Sequence, residues 1–192
     1  MKTLRNTFAI LLIVYISTNI YAQKKHTKYY DNGNLKQEGF FDENEKASGE
    51  WKFYHENGKI DAKFIFLNGV FNGLHEKYDK EGVLEYTQDY VKGERVGPKK
   101  GYYEDKTLMY AGHITNKKAN GEWKYYHTSG ELLKTGNYLN GKKSGQWKFY
   151  GFSGKIEREG NYVDDKKSGE WKIYVRGVQR DTRNYLHGKM VN

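Results

Sequence analysis

The segment that decides the fold is Gly121 to Tyr150, GEWKYYHTSGELLKTGNYLNGKKSGQWKFY. It begins and ends on one phrase: Gly, then Glu or Gln, then Trp, Lys, an aromatic residue and Tyr. The phrase recurs along most of the chain, and recurrence at a fixed spacing is the signature of a repeat architecture. The period of the repeat therefore predicts more about this molecule than any isolated motif.

Two residue types keep a period of 24. The tyrosine column is Tyr54, Tyr78, Tyr102, Tyr126, Tyr150 and Tyr174, and one step back reaches Tyr30. The glycine column is Gly49, Gly73, Gly97, Gly121, Gly145 and Gly169. There is no insertion or deletion between these glycines, so the chain divides into seven units, numbered here 1 to 7 after their tyrosines.

The segments between turn residues favour β-strands. They are short, rich in Tyr, Trp, Phe and Ile, and bounded by Gly, Asn and Asp. Tight turns between neighbouring strands make them antiparallel. The sequence therefore predicts an all-β fold: an elongated single antiparallel sheet of about seven tandem 24-residue β-hairpin repeats. In so thin a structure we expect the aromatic columns to form the core, and Tyr54, Tyr126 and Tyr150 more firmly than Trp123 and Trp147.

Units 1, 4 and 7 depart from the pattern. The first and last units are each one residue short in a turn, as terminal repeats that cap a stack often are. In unit 4, Pro98 enters the phrase, Lys99 replaces the Trp found at 51, 123, 147 and 171, and Gly101 takes an aromatic position. Pro and Gly weaken a strand interior, which predicts a bulge, bend or frayed strand near 97–101. A bend that divides the array and simple drift of an exposed unit both remain open.

Residues 1–22 read as a secretory signal peptide, and residues 23–192 as the repeat domain. Lys2 and Arg5 precede the apolar run Phe8 to Ile16, and Ala22 is a suitable residue before cleavage. The alternative is an uncleaved anchor, although the apolar run is shorter than the ~20 residues that span a bilayer. We therefore expect an exported protein that is periplasmic, outer-membrane-associated or extracellular.

One family accounts for these motifs. The run Asn140 to Tyr150, NGKKSGQWKFY, together with Gly154-Lys155-Ile156 and Gly160-Asn161-Tyr162, resembles the MORN repeat in its bacterial variant form. The resemblance covers about residues 28–190 and departs at His75 and Lys99. It implies an elongated hairpin sheet with a non-enzymatic role as a scaffold, a protein-interaction platform, an anionic-lipid binder or an antitoxin-like protein. A weaker similarity is to aromatic cell-wall-binding repeats.

Candidate binding residues are lysines and tryptophans. The pairs Lys142-Lys143 and Lys166-Lys167 occupy predicted loops that stack about every 10 Å along one edge. Such an edge suits an anionic lipid or glycan, and it equally suits edge protection and solubility. Trp123 and Trp147 suit a sugar or peptide, and equally a core. The neighbouring column of lysines faces glutamates two residues earlier, which predicts a ladder of salt bridges.

The sequence offers no catalytic or cofactor site. There is no Cys, the six His residues are scattered, and no nucleophile and base share a context that suggests catalysis. We expect no cofactor, no metal and no nucleic acid partner, despite a net charge of +9. The leading hypothesis is an exported, non-enzymatic platform for an unknown protein or envelope component. An anionic lipid or glycan binder and an antitoxin-like protein are the alternatives, and the oligomeric state is not predicted.

Overall fold

The computed structural model describes residues 23–191, which form one antiparallel sheet of 16 strands. The predicted signal peptide lies outside the described residues. The strands are β1 Lys24–Tyr29, β2 Leu35–Phe41, β3 Ala47–Tyr54, β4 Ile60–Leu67, β5 Val70–Phe71, β6 Gly73–Tyr78, β7 Leu84–Val91, β8 Glu94–Tyr102, β9 Leu108–Thr115, β10 Lys118–Tyr126, β11 Leu132–Leu139, β12 Lys142–Tyr150, β13 Ile156–Val163, β14 Lys166–Val175, β15 Val178–Leu186 and β16 Lys189–Val191. No helix in this part of the chain is long and apolar enough to cross a bilayer.

The strands lie side by side in chain order, so the all-β, single-sheet prediction is confirmed. Only the two-residue strand β5 leaves this path, since it pairs with β4 alone. Each 24-residue unit supplies two neighbouring strands, as the period predicted. Because strands are about 4.8 Å apart, equivalent residues of successive units lie roughly 10 Å apart.

Two kinds of turn alternate between β3 and β14. The longer turn follows the tyrosine: in unit 5, His127 N donates to Glu131 O, and Gly130 N donates to His127 O. The shorter turn has two residues with positive φ, such as Asn140 (52°) and Gly141 (86°). Two positive φ values define the type I′ turn, whose twist matches that of paired antiparallel strands. The alternation holds the hairpins in one register.

The glycine column lies inside strands rather than at turns. Gly145 has a φ of 66° within β12, where Gly136 pairs with Trp147 but Asn137 pairs with Ser144. Two residues, Gly145 and Gln146, are thus extra on β12, which makes a β-bulge. A left-handed φ at this point favours glycine, since other residues meet steric cost there. The even spacing of this column is therefore explained by a bulge of this kind in units 2, 4, 5, 6 and 7, whereas at Gly73 of unit 3 the strand is broken.

The two faces of the sheet differ in chemistry. The tryptophan face carries Trp51, Trp123, Trp147 and Trp171, all of them buried. Side chains alternate along a strand, so Lys52 and Tyr54 lie on the opposite side from Trp51. That side, here called the charged face, carries the lysine column and its glutamates. The core of this one-layer protein is therefore built on a single face.

The tyrosine column belongs to the charged face, and the prediction that Tyr54, Tyr126 and Tyr150 are the firmer core members is wrong. All three are half-buried, whereas the tryptophans are buried. Tyr54 Oη donates a hydrogen bond to Glu38 Oε1 at 2.7 Å. Burial, together with this carboxylate, raises the pKa of Tyr54 to about 12. The tyrosines tie turns and charged side chains together rather than filling the core.

The sheet is interrupted in unit 3 rather than in unit 4. Strand β8 runs without a break from Glu94 to Tyr102, and its bulge at Gly97 is the one that other units share. Pro98 is exposed and has no partner in β7, so its missing N–H costs no bond on that side. The prediction of a bulge is thus confirmed, but a frayed strand is wrong. The break falls at Asn72, between β5 and β6.

Candidate interaction surface

Trp147 shows how the tryptophan face is built. Its side chain is 0% exposed although the sheet is a single layer, because neighbouring rings close over it. The rings of Tyr138 and Tyr162 meet it edge to face, with centroids 5.2 and 6.0 Å away. Its indole Nε1 donates to the carbonyl oxygen of Asn137 at 3.1 Å. The indole therefore contacts a ring on each side, and its N–H has a hydrogen-bond acceptor.

A glycine on the neighbouring strand makes room for each tryptophan. Gly136 lies opposite Trp147, and a Cβ added there would overlap the indole ring. The same close approach recurs in the pairs Gly39–Trp51, Gly112–Trp123 and Gly160–Trp171. The side chain of each tryptophan thus lies flat over backbone that has no side chain of its own. Sequence reasoning missed this pairing, although glycine precedes every tryptophan by 11 or 12 residues.

Units 3 and 4 replace both members of that pair. His75 stands at the tryptophan position of unit 3, and Phe64 replaces the glycine; their rings stack at 4.0 Å with an interplanar angle of 10°. Lys99 stands at the tryptophan position of unit 4, opposite Gln88, which is 1% exposed. Where the large indole is lost, the facing residue gains a side chain. The facing positions thus stay filled by side chains through units 3 and 4, but these side chains are more polar.

His75 is the polar centre of this altered region. Its side chain is 5% exposed, and neither ring nitrogen has a hydrogen-bond partner among the described residues. Burial is the main reason that the pKa of His75 falls to about 4, and the nearby Lys77 acts in the same direction. The ring is neutral near neutral pH and behaves as an aromatic core residue. This buried position does not suit a general acid or base.

Four cations lie over aromatic rings on the tryptophan face of units 5 to 7. Lys143 Nζ is 5.1 Å from the ring centroid of Trp147 and 5.0 Å from that of Tyr162. Lys167 repeats this position over Trp171 and Tyr185, at 4.5 and 4.6 Å. Lys134 lies 4.4 Å from Tyr125, and Arg158 lies 4.5 Å from Phe149. Lys134, Lys143, Arg158 and Lys167 are called the tryptophan-face cations below.

No salt bridge joins the side chain of a tryptophan-face cation to a carboxylate within residues 23–191, although the Asp165 carboxylate accepts the backbone N–H of Lys143 at 2.8 Å. Burial lowers the pKa of Lys134, and the positive charges of Lys143 and Arg158 lower it further. The like charges are therefore close enough to repel one another. Attraction to the rings beneath them offsets part of that repulsion, typically by about 0.5–2 kcal/mol for each cation.

The charged face has the opposite arrangement, because its lysines are paired. The predicted salt-bridge ladder is present at Glu50–Lys52 (3.2 Å), Glu122–Lys124 (3.3 Å) and Glu170–Lys172 (3.8 Å). Two pairs that were not predicted, Lys63–Glu76 (3.0 Å) and Lys148–Glu159 (4.0 Å), join neighbouring strands. Exposed pairs of this kind contribute little stability each. Their consequence is that the charged face is locally neutral, so the two sides of the C-terminal units differ in their electrostatics.

The four predicted binding lysines divide between two surfaces. Lys142 and Lys166 begin strands β12 and β14 and lie along the edge of the charged face beside Leu139 and Val163, both exposed. We call these four residues the basic rim. Lys142 Nζ is 3.7 Å from the Asp164 carboxylate. Lys143 and Lys167 instead project to the tryptophan face. The prediction that all four lysines share one loop edge is therefore wrong, because neighbouring residues of a strand point to opposite faces.

The predicted binding tryptophans have no accessible ring faces. Trp123 is 6% exposed and Trp147 is 0% exposed. Both are core residues on this geometry, and a ligand reaches only the cations and tyrosines around them. Trp123 differs in one respect, since its Nε1 has no hydrogen-bond acceptor in the described part of the chain. Trp123 adjoins unit 4, where the regular packing ends.

A cavity of about 580 Å³ lies at the longer turns of units 3 and 4. Tyr102, Tyr103 and Met109 line it, together with several carboxylates. The carboxylates of Asp79 and Asp105 accept backbone N–H groups of their own turns, from Val83 and Thr107 respectively. These aspartates thus have a structural role. Across residues 23–191, no group of three or more His, Asp or Glu side chains is placed to hold a metal ion.

Comparison with known families agrees with this geometry. The family described as MORN repeat variant matches residues 23–43, 47–68, 119–140 and 143–164. The chain is a MORN repeat protein. The matches leave out residues 69–118, which include units 3 and 4 where tryptophan is replaced, and also residues 165–192, which include Trp171. A search of curated proteins found no match. MORN repeats generally serve interactions with proteins or membranes, and the family is not known for enzymatic activity.

Proposed function

We propose that this protein is a non-enzymatic interaction platform of the cell envelope, exported by its first 22 residues. One observation carries the proposal: the molecule is a single sheet that offers two broad, chemically different faces to its surroundings. No reactive constellation accompanies them in residues 23–191. A layer of this kind presents many side chains in a fixed, repeating geometry, as interaction repeats do. Its partner is a protein or another component of the envelope.

Affinity capture tests the platform role. The full chain, carrying a C-terminal affinity tag, is expressed in its own cells, and proteins retained from an envelope extract are identified by mass spectrometry. We expect at least one envelope protein to be enriched over a tagged, unrelated exported protein. No enrichment in repeated captures, with or without mild cross-linking, would reject the platform role.

Cell fractionation tests the location independently. We expect the mature chain in the periplasmic, outer-membrane or extracellular fraction, with its N-terminus at Gln23. An entirely cytoplasmic protein would reject export and would favour the antitoxin-like alternative. A chain that keeps residues 1–22 and stays with the inner membrane would identify that segment as an anchor.

The basic rim favours a second candidate function, the binding of anionic lipid or glycan. Lys142 and Lys166 have exposed side chains next to Leu139 and Val163, which are 61% and 58% exposed. Lysines beside exposed aliphatic side chains suit a surface with negative headgroups. The pairing of Lys142 with Asp164 weakens this attraction. The platform role is therefore the leading proposal.

Vesicle sedimentation separates the two candidates. We expect the double variant K142Q/K166Q to bind vesicles with anionic headgroups less than the unaltered chain does at low salt. The matched control is K124Q/K172Q, with the same loss of charge on the charged face away from the rim. Equal binding by all three proteins, or no binding by any, would reject the lipid-binding candidate.

A further inference from the structure

The two faces of units 5 to 7 carry similar numbers of cations but differ in their anions. On the charged face, Lys124, Lys148 and Lys172 are each paired with a glutamate. On the tryptophan face, the side chains of Lys134, Lys143, Arg158 and Lys167 have rings beneath them and make no salt bridge in the described chain. The tryptophan face thus carries a cluster of four cations without salt bridges, whereas the lysine column of the charged face is paired.

The packing holds these cations in place. Lys143 and Lys167 occupy equivalent positions one unit apart, and each is half-buried between a tryptophan and a tyrosine. Lys134 and Arg158 form a second row, also one unit apart, on the other side of the tryptophans. Side chains already ordered by packing lose less entropy when they meet a ligand. The result is two preformed rows of positive charge with the buried indoles between them.

We infer that the tryptophan face of units 5 to 7 binds an acidic, extended polypeptide segment of a partner protein, lying across the strands along the repeat axis. This inference rests on the platform role proposed above and names the chemistry of its partner. The carboxylates of the segment pair with the tryptophan-face cations, and Arg158 offers the planar fork that suits a carboxylate.

The spacing fits such a segment. Equivalent cations of successive units are two strands apart, which is about 9.6 Å. In a peptide with the polyproline II conformation, which has three residues per turn and rises about 3.1 Å per residue, every third side chain points the same way and lies about 9.3 Å further along. A segment with Asp or Glu at every third position therefore places one carboxylate at each unit. The residues between them contact the half-buried rings of Tyr138 and Tyr162.

A polypeptide fits this face better than a sugar or a membrane does. Sugars stack on open ring faces, but here the faces are covered by cations and by neighbouring rings. A membrane-binding surface extends its lysines outward beside exposed aliphatic residues. That arrangement is found on the basic rim, on the opposite side of the sheet. An acidic peptide with interspersed apolar residues supplies carboxylates for the cations and apolar side chains for the half-buried rings.

A matched pair of variants tests the inference. The face variant is K134Q/K143Q/R158Q/K167Q, and the control variant is K52Q/K124Q/K148Q/K172Q, which removes the same charge from the other side. The probe is a labelled 15-residue peptide with Glu at every third position and Ala, Ser or Leu between. Fluorescence anisotropy with the purified full chain, at low salt and near physiological salt, should show affinity at least tenfold lower for the face variant and nearly unchanged for the control.

One further variant and two further ligands distinguish the possible outcomes. Circular dichroism and urea unfolding check the fold, and the variant K134R/K143R/K167R, which retains charge and ring contact, should keep its affinity. Equal losses in the face and control variants would overturn the inference, as would no binding of the peptide by the unaltered chain. So would binding of a polyuronate or of anionic vesicles in preference to the peptide through the same four cations.

Capture from envelope extract with the face variant distinguishes a wrong binding site from a wrong platform role. If the face variant retains every partner that the unaltered chain captures, the platform role stands and the site assigned to it is wrong. If the face variant loses an acidic partner that the control variant keeps, the assignment is supported.

Discussion

The tryptophan position is packed in one way in units 5 to 7 and in another way in units 3 and 4. In units 5 to 7, an indole lies over a glycine of the neighbouring strand, as Trp147 lies over Gly136. In unit 3, a smaller ring, His75, stacks on Phe64 instead. Both arrangements fill the space between strands, but only the first buries a large apolar ring in every unit. The difference shows that the residue at the tryptophan position and the residue facing it on the neighbouring strand change together.

The loss of Trp147 is expected to have the largest effect. Trp147→Ala removes a fully buried side chain and leaves a cavity, and we expect a cost of about 3–5 kcal/mol in the free energy of unfolding. The matched change in unit 4, Lys99→Ala, removes a half-buried lysine from the same column and should cost less than about 1 kcal/mol. Urea unfolding followed by tryptophan fluorescence and circular dichroism measures both. Equal costs would show that the units do not differ in this way.

The second effect is the pH dependence that His75 brings to unit 3. Its pKa is lowered to about 4 in the folded chain, against an ordinary value near 6.5, so the unfolded chain binds this proton first. Its contribution is therefore fully present above pH 6.5 and is lost as pH falls toward 4, by about 3 kcal/mol in total. His75→Phe keeps a ring against Phe64 and removes the proton.

The measurement is the difference in unfolding free energy between the unaltered chain and His75→Phe from pH 7 to pH 4. We expect the unfolding free energy of His75→Phe to rise relative to that of the unaltered chain as pH falls through this window. The carboxylates titrate alike in both proteins and therefore cancel in the difference. A difference that stays constant with pH would mean that His75 is protonated equally in the folded and unfolded chains.

A smaller effect separates the two lysines of one strand. Lys143→Ala removes a cation from the rings of Trp147 and Tyr162 and should cost about 1 kcal/mol. Lys142→Ala, on the opposite face, loses only an exposed ion pair and should change stability by less than about 0.5 kcal/mol. Thermal unfolding of the two variants side by side is sufficient. A larger loss from Lys142→Ala would place the important lysine on the basic rim.

Much of the fold could be predicted from the sequence, because a 24-residue period with turn residues at fixed places allows few arrangements. The period predicted the hairpins and their antiparallel pairing, and the short turn expected in the last unit is present, since Val175 pairs with Val178. The short turn expected in the first unit is wrong, because Tyr29 pairs with Leu35 just as Tyr54 pairs with Ile60. The faces were within reach as well, since Trp51 and Tyr54 are three residues apart and strand alternation puts them on opposite sides. The expectation that the tyrosines form the core overlooked this parity.

Other features depend on contacts that spacing does not reveal. Pro98 looked like the interruption, but it occupies a bulge where its missing N–H is not needed on one side, and the strand breaks at Asn72 instead. The positions of Lys143 and Lys167 over rings follow from side-chain packing across two strands. The site therefore moved from a predicted loop edge to one face of the sheet.

The facing pair itself can be tested by transplanting the unit 3 solution into unit 6. Gly136→Phe alone should be strongly destabilising, because a Cβ at this position already overlaps Trp147. Adding Trp147→His recreates Phe64 and His75, and it keeps a tryptophan, Trp123, on the other side of residue 136 just as Trp51 flanks Phe64. The control combination is G136F/W171H, in which the second change lies over a different glycine.

The decisive measurement is the unfolding free energy of G136F compared with that of G136F/W147H. If neighbouring units are matched through facing residues, the double variant is more stable than G136F by at least about 1 kcal/mol, although it has also lost the core side chain of Trp147. The control G136F/W171H should be less stable than G136F. A double variant G136F/W147H whose loss equals the sum of its two single losses would contradict the account.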